Sequence, residues 1–126
     1  MAQTKKILVI DDEESSQKLL RDMLVPHDYE IWVASDGEDG IQIAKKQNPD
    51  LIILDVRLPG MDGFKVQEIL SQDESTKKIP VIFVTVKAGI KETLRAMTHG
   101  AVGYIEKPFS VKRLIGKVKA ILSKDS

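Results

Sequence analysis

A chain of 126 residues, 42% hydrophobic and 30% charged, has the size and composition of one globular domain with a single core. Its nineteen basic and nineteen acidic residues cancel, so the overall charge points to neither nucleic acid nor a membrane surface. No cysteine is present, which excludes disulfides and thiolate chemistry.

The first apolar run is "ILVI", Ile7–Ile10, preceded by Lys5 and Lys6 and stopped by "DDEE". So short a run can be neither a signal-peptide core nor a membrane span, and a cytoplasmic protein is expected. Leu19, Leu20, Met23 and Leu24 then recur at helical spacing, closed by Pro26. A second run, Glu30–Ala34, precedes a shorter helical stripe at Ile41, Ile43 and Ala44. A third, Leu51–Leu54, precedes Phe64, Val66, Ile69 and Leu70. A fourth, Val81–Val84, precedes Ile90, Leu94 and Met97, ended by Gly100. The fifth, Ala101–Ile105, leads into the clearest helical pattern, Val111, Leu114, Ile115, Val118, Ile121 and Leu122.

Five strands alternating with five helices predict an α/β domain, a doubly wound parallel sheet with helices on both faces. The strands are continuously apolar rather than alternating, as covering on both faces requires. No repeat or linker interrupts the pattern, so a single domain over residues 1–126 is expected. In such folds the working site lies beyond the carboxyl ends of the strands.

There the sequence delivers a particular set of groups. The first strand ends in Asp11 and Asp12, the third in Asp55, the fourth in Thr85, and the fifth runs into Lys107 and Pro108. Three clustered acids repel one another and need a positive partner. A hard divalent cation such as magnesium meets that need and keeps positions for water and phosphate oxygens. A lysine ammonium and a threonine hydroxyl can hold further phosphate oxygens. The set suits phosphoryl transfer, with Asp55, alone at its strand end, as candidate nucleophile. Singly, each residue has a plainer reading. "DD" can cap a helix, an Asp before a bend can be turn chemistry, and Thr85 and Lys107 can be ordinary strand-end and loop residues. Together, at successive strand ends, they favour a site.

At these residues the sequence resembles the receiver domain of two-component response regulators. "ILVIDDEE", "DLIILDVRLPGMDGF", "PVIFVT" and "GAVGYIEKPF" match that family's landmarks in order and spacing, over essentially the whole chain. The resemblance implies the flavodoxin-like strand order 2-1-3-4-5. It implies Asp55 as phosphoacceptor, Asp12 and Asp55 as direct Mg2+ ligands, Asp11 acting through water, and the Arg57 carbonyl as a further ligand. Thr85 and Lys107 would hold the phosphoryl oxygens. A switch is implied too, in which Thr85 moves toward the phosphoryl group and Tyr104 turns inward behind it. The family pattern also implies a cis bond between Lys107 and Pro108. The expected partners are a sensor histidine kinase or phosphotransfer protein and a downstream protein target or output domain. Output would pass through the fourth helix, fifth strand and fifth helix. Neither direct nucleic-acid nor membrane binding is expected, and the chain would be a monomer or a phosphorylation-dependent homodimer.

Three positions depart from the pattern or flank it. Val86 stands where the family usually has a small residue, and could restrict access to Asp55. Arg57 and Lys87, each two residues beyond a site residue, could attract an anionic donor or crowd hydrolytic water; alternatively Arg57 pairs with Glu13 or Glu14. Lys112, Arg113, Lys117, Lys119 and Lys124 read as a solvated helix face. Tyr29 and Trp32 read as packing residues, and His27 and His99 as loop or helix-end residues. A haloacid-dehalogenase-type phosphatase would also use a strand-end Asp with magnesium. Its second acid, however, falls where this chain has Arg57, and no sizeable cap insertion is present. A scaffold that keeps only the fold is disfavoured by the intact acids, Thr85 and Lys107.

Overall fold

The structure, a computed structural model, describes residues 4–86, 95, 98 and 100–123. Five strands form one parallel sheet: β1 (Lys6–Ile10), β2 (Glu30–Ala34), β3 (Leu51–Leu54), β4 (Val81–Thr85) and β5 (Gly103–Glu106), in the order β2-β1-β3-β4-β5. The predicted strand order and fold class are those observed. Four helices are seen among the described residues: α1 (Glu14–Leu24), α2 (Gly37–Gln47), α3 (Gly63–Gln72) and α4 (Val111–Leu122). The predicted segment around Ile90, Leu94 and Met97 lies outside the described residues. Gly100, expected to end it, has left-handed backbone at φ 88°. Among the described residues no helix is long and apolar enough to cross a membrane.

The strand sequences explain the two-sided core. Successive side chains point to opposite faces of a strand. Leu8, Ile10, Ile52, Leu54 and Phe83 therefore face Ala44 of α2 and Phe64, Val66 and Leu70 of α3. Ile7, Val9, Leu51, Ile53, Ile82 and Val84 face Leu20 and Leu24 of α1 and Leu114 and Val118 of α4. Every residue of β3 and β4 is buried, which is why these runs are apolar without alternation. A one-residue slip would exchange the two sets of side chains, so the paired core pins the register. Ile10, Leu54 and Phe83 accordingly lie in line across three strands.

Three helices begin with a side-chain cap. Asp36, Asp62 and Ser110 accept from the backbone N–H of Asp39, Lys65 and Arg113. At α1 the N-cap is Glu13, without a side-chain bond, so Asp11 and Asp12 are not helix caps. The β5 register also corrects an expectation. The strand begins at Gly103 rather than Ala101, because the chain is still leaving the Gly100 turn. Two predicted core residues, Leu19 and Val111, are 49% and 46% exposed at the margins of their helical stripes. Trp32 packs on one core cluster and Tyr29 on the other, as expected of packing residues. His27 ends a short 3-10 turn, Val25–His27.

Candidate functional site

The sheet ladder carries the acids to their places. The Asp11 amide donates to Ala34 O at 3.1 Å, and the Asp55 amide to Ile10 O at 3.0 Å, so each acid extends its strand by one paired residue. On the far side the Lys107 amide donates to Thr85 O at 2.7 Å. The backbones of four of the five predicted site positions are thereby locked to neighbouring strands. Asp12 is the exception: its side chain is exposed at the opening.

Two of the acids are deeply buried, Asp11 at 2% exposure and Asp55 at 5%. Buried carboxylates need partners, and both find the same one. Lys107 Nζ donates to Asp11 Oδ2 at 2.9 Å and to Asp55 Oδ2 at 3.2 Å. The second oxygens take backbone donors: Asp11 Oδ1 accepts from the Glu13 amide and Asp55 Oδ1 from the Arg57 amide, each at 3.0 Å. Turn chemistry is therefore present at Asp55, but it occupies only one oxygen. Burial raises the Asp55 pKa above the ordinary aspartate value. The Arg57 amide and the Lys107 charge oppose that rise without cancelling it, and the Asp11 charge adds to it. At Lys107 burial acts to lower the pKa, but the hydrogen bond and charge of Asp11, then those of Asp55, outweigh it. The ammonium is held above its usual range.

Oxygens of Asp11, Asp12 and Asp55 all lie within 4.8 Å of one another. Three carboxylates form an all-oxygen donor set suited to a hard divalent cation. With Asp11 and Asp55 already sharing an ammonium, a single added cation near Asp12 would complete the neutralisation. The residues present fit magnesium.

The close approach of α3 to Asp55 depends on Gly63. A Cβ there would press on the Asp55 carbonyl oxygen and fall 2.9 Å from Val56 Cα. The Gly63 amide instead donates to Val56 O at 2.7 Å. Thr85 closes β4 and is buried. Tyr104 lies opposite Phe83 in the β4–β5 register, partly buried against the core cluster on the α2–α3 side. The Lys107–Pro108 bond is cis, as the resemblance implied. Arg57 is exposed, and among the described residues no ion pair joins it to Glu13 or Glu14. Val86 is 56% exposed. It borders an apolar groove of about 330 Å³ with Leu19, Leu20 and Phe109, and with Ser16 and Lys107 also in the lining. Lys87 lies outside the described residues.

Sequence reasoning missed two residues of α1. Ser16 Oγ accepts from Lys107 Nζ at 3.2 Å. Gln17 Nε2 donates to the Asp11 carbonyl at 2.6 Å and to Ser35 Oγ at 3.0 Å. The only local signal was that both lie in the polar turn "SSQK" that follows "DDEE".

The molecule is a doubly wound α/β domain with an acidic cleft and a partly buried lysine at the carboxyl edge of its sheet. Comparison with known proteins places it. Residues 7–119 match the response regulator receiver domain. The polar-differentiation response regulator DivK of Brucella ovis is 36% identical over 119 residues, covering 94% of this chain and 97% of DivK. The probable transcriptional regulator ycf27 of Porphyridium aerugineum is 35% identical over 120 residues, 95% of this chain but only 49% of ycf27. The chain thus spans about half of one relative and nearly all of another. Among solved structures, the receiver domain of sensor histidine kinase PA1611 from Pseudomonas aeruginosa superposes with a TM-score of 0.88 at 25% identity, over 96% of this chain and 99% of that one. It is described with a magnesium ion coordinated in the active-site cleft. The chain belongs to the response regulator receiver domain family of two-component signalling. Receiver domains are regulatory phosphoacceptors that work with histidine kinases and downstream targets, not turnover enzymes.

Proposed function

We propose that this chain is a phosphorylation-controlled switch that accepts a phosphoryl group on Asp55 from the phosphohistidine of a partner kinase or phosphotransfer protein. The observation that carries the reading is the single Lys107 ammonium shared by the Asp11 and Asp55 carboxylates. It offsets part of the cost of charge on Asp55 in a buried place and lies within reach of the negative charge that phosphorylation would add.

Asp12 and Asp55 would hold Mg2+ directly, Asp11 through water, and the Arg57 carbonyl would complete the protein ligands. The metal would neutralise phosphoryl oxygens as charge builds on them. The Asp55 carboxylate attacks phosphorus, the bond from phosphorus to the imidazole nitrogen breaks, and the histidine leaves. Lys107 then pairs with a phosphoryl oxygen, and Thr85 donates its hydroxyl to another. Its backbone link to Lys107 makes Thr85 a suitable relay to β5, where Tyr104 would move into the space vacated. Output would pass through the face formed by β5, α4 and the predicted helix before β5, toward a protein target or output domain. Val86 and Arg57 flank the opening and would tune how fast the phosphoryl group arrives and leaves, as would Lys87. The PA1611 receiver's magnesium supports the metal assignment.

The test is incubation with acetyl phosphate and Mg2+, read by intact-mass spectrometry. Wild type is expected to gain one phosphoryl group. Asp55→Asn is expected to gain none, and equal gain by that variant would sink the reading.

A further inference from the structure

A lysine ammonium carries three N–H donors and no acceptor. At Lys107 the three have three partners, and they are not equivalent. Two are the carboxylates of Asp11 and Asp55, and the third is the neutral hydroxyl of Ser16, at 3.2 Å. The acids pull the ammonium inward by charge. The hydroxyl cannot compete in charge, but it fixes the direction of the remaining N–H and keeps Nζ on the α1 side of the acids.

The hydroxyl is itself held in place. Ser16 sits on α1 beside Gln17, whose amide ties that helix turn to the Asp11 carbonyl at 2.6 Å and to Ser35 Oγ at 3.0 Å. The strand end that presents Asp11 therefore also sets the distance from Ser16 to Lys107. Ser16 also lines the apolar groove beside Lys107.

We infer that Ser16 is a positioning residue for phosphoryl transfer, acting through Lys107 to keep the ammonium where phosphoryl oxygens will arrive. The inference rests on Asp55 being the phosphoacceptor. Without the hydroxyl, the ammonium keeps its two carboxylates but its third N–H loses its protein partner, and its direction is no longer set. The ammonium must then be oriented anew before it can meet the incoming group. Losing one hydrogen bond to a charged group at a partly wet site should slow the chemical step about fivefold to tenfold.

The experiment compares wild type, Ser16→Ala and Ser16→Thr across a range of acetyl phosphate concentrations with Mg2+, following phosphoryl gain by mass. Ser16→Ala is expected to lower the maximal rate about fivefold to tenfold, with the donor concentration at half-maximal rate unchanged. Ser16→Thr, which keeps the hydroxyl, should recover most of the rate. Thermal melts of all three check that the fold is retained. If wild type gains no phosphoryl group, the phosphoacceptor reading itself fails. If wild type is phosphorylated and Ser16→Ala matches it, the inference is overturned. It is equally overturned if Ser16→Thr is as slow as Ser16→Ala, or if only the half-maximal concentration changes.

Discussion

The two ends of the sheet treat their aspartates in opposite ways. At the carboxyl end Asp55 is buried, shares its cation with Asp11, and has its pKa raised above the ordinary value. Toward the amino end Asp73 has its pKa lowered, first by hydrogen bonds from Ser75 and then by Lys45. Nearby, Asp50 clamps the start of β1: its Oδ2 accepts from the Lys6 amide and its own amide donates to Lys6 O, both at 2.8 Å. Buried Thr76 likewise spends its hydroxyl on Leu70 O at 2.7 Å. At that end neither acid shares a cation with another acid, and the groups serve the fold. At the other end two buried acids divide one ammonium, an arrangement that favours the arrival of another ligand. Chemistry is found where the pairing is left short.

The strongest way to break this contrast is to remove the shared cation. Lys107→Met should slow phosphoryl gain about 10²- to 10³-fold, the usual cost of deleting one stabilising donor at a reacting centre. It should also lower the thermal midpoint in chelator, because Asp11 and Asp55 then lie buried without a counter-charge. Added Mg2+ should restore much of the lost stability. A variant as stable as wild type in chelator would show that the acids never depended on Lys107.

A smaller effect is expected at the amino end. Asp50→Ala removes one side-chain bond to the Lys6 amide and should cost about 1 kcal/mol in chemical denaturation. Phosphoryl gain should stay at the wild-type rate. A slowed rate would mean that the two ends are coupled.

The finest test uses pH. A carboxylate with a lowered folded pKa stabilises the fold above its unfolded pKa, and that contribution disappears as pH falls through the folded value. Asp73→Asn should therefore be less stable than wild type at neutral pH, with the deficit closing in acid. For Asp55 the sign is reversed. Its raised folded pKa costs stability once pH exceeds the unfolded value, so Asp55→Asn should be no less stable than wild type at neutral pH in chelator. That relative advantage should shrink in acid. Denaturant titrations across the acidic range would show the two differences moving in opposite directions.

Legibility in the sequence followed the range of the interactions. The strands were readable because burial on both faces writes itself as unbroken apolar runs, and β2 and β3 have the expected bounds. The strand-end acids, Thr85 and Lys107 were readable because strand order brings their ends to one edge. Leu19 and Val111 misled, since helical spacing alone does not tell the centre of an apolar stripe from its margin. Ser16 and Gln17 were not readable at all. Ser16 meets Lys107 across 91 residues of chain, and no local pattern marks a serine that faces a lysine so far away. Gly63 had no role assigned from sequence. Its reason, a helix start pressed against the Asp55 carbonyl, exists only in three dimensions.

The Lys107–Asp11 bond spans 96 residues, nearly the whole domain. During synthesis the acids emerge long before their ammonium, and β5 must dock against β4 before Lys107 can reach them. A half-made or partly unfolded chain thus carries the acids but not the completed receptor. The cluster of two acids and one ammonium is therefore complete only when the last strand is in place.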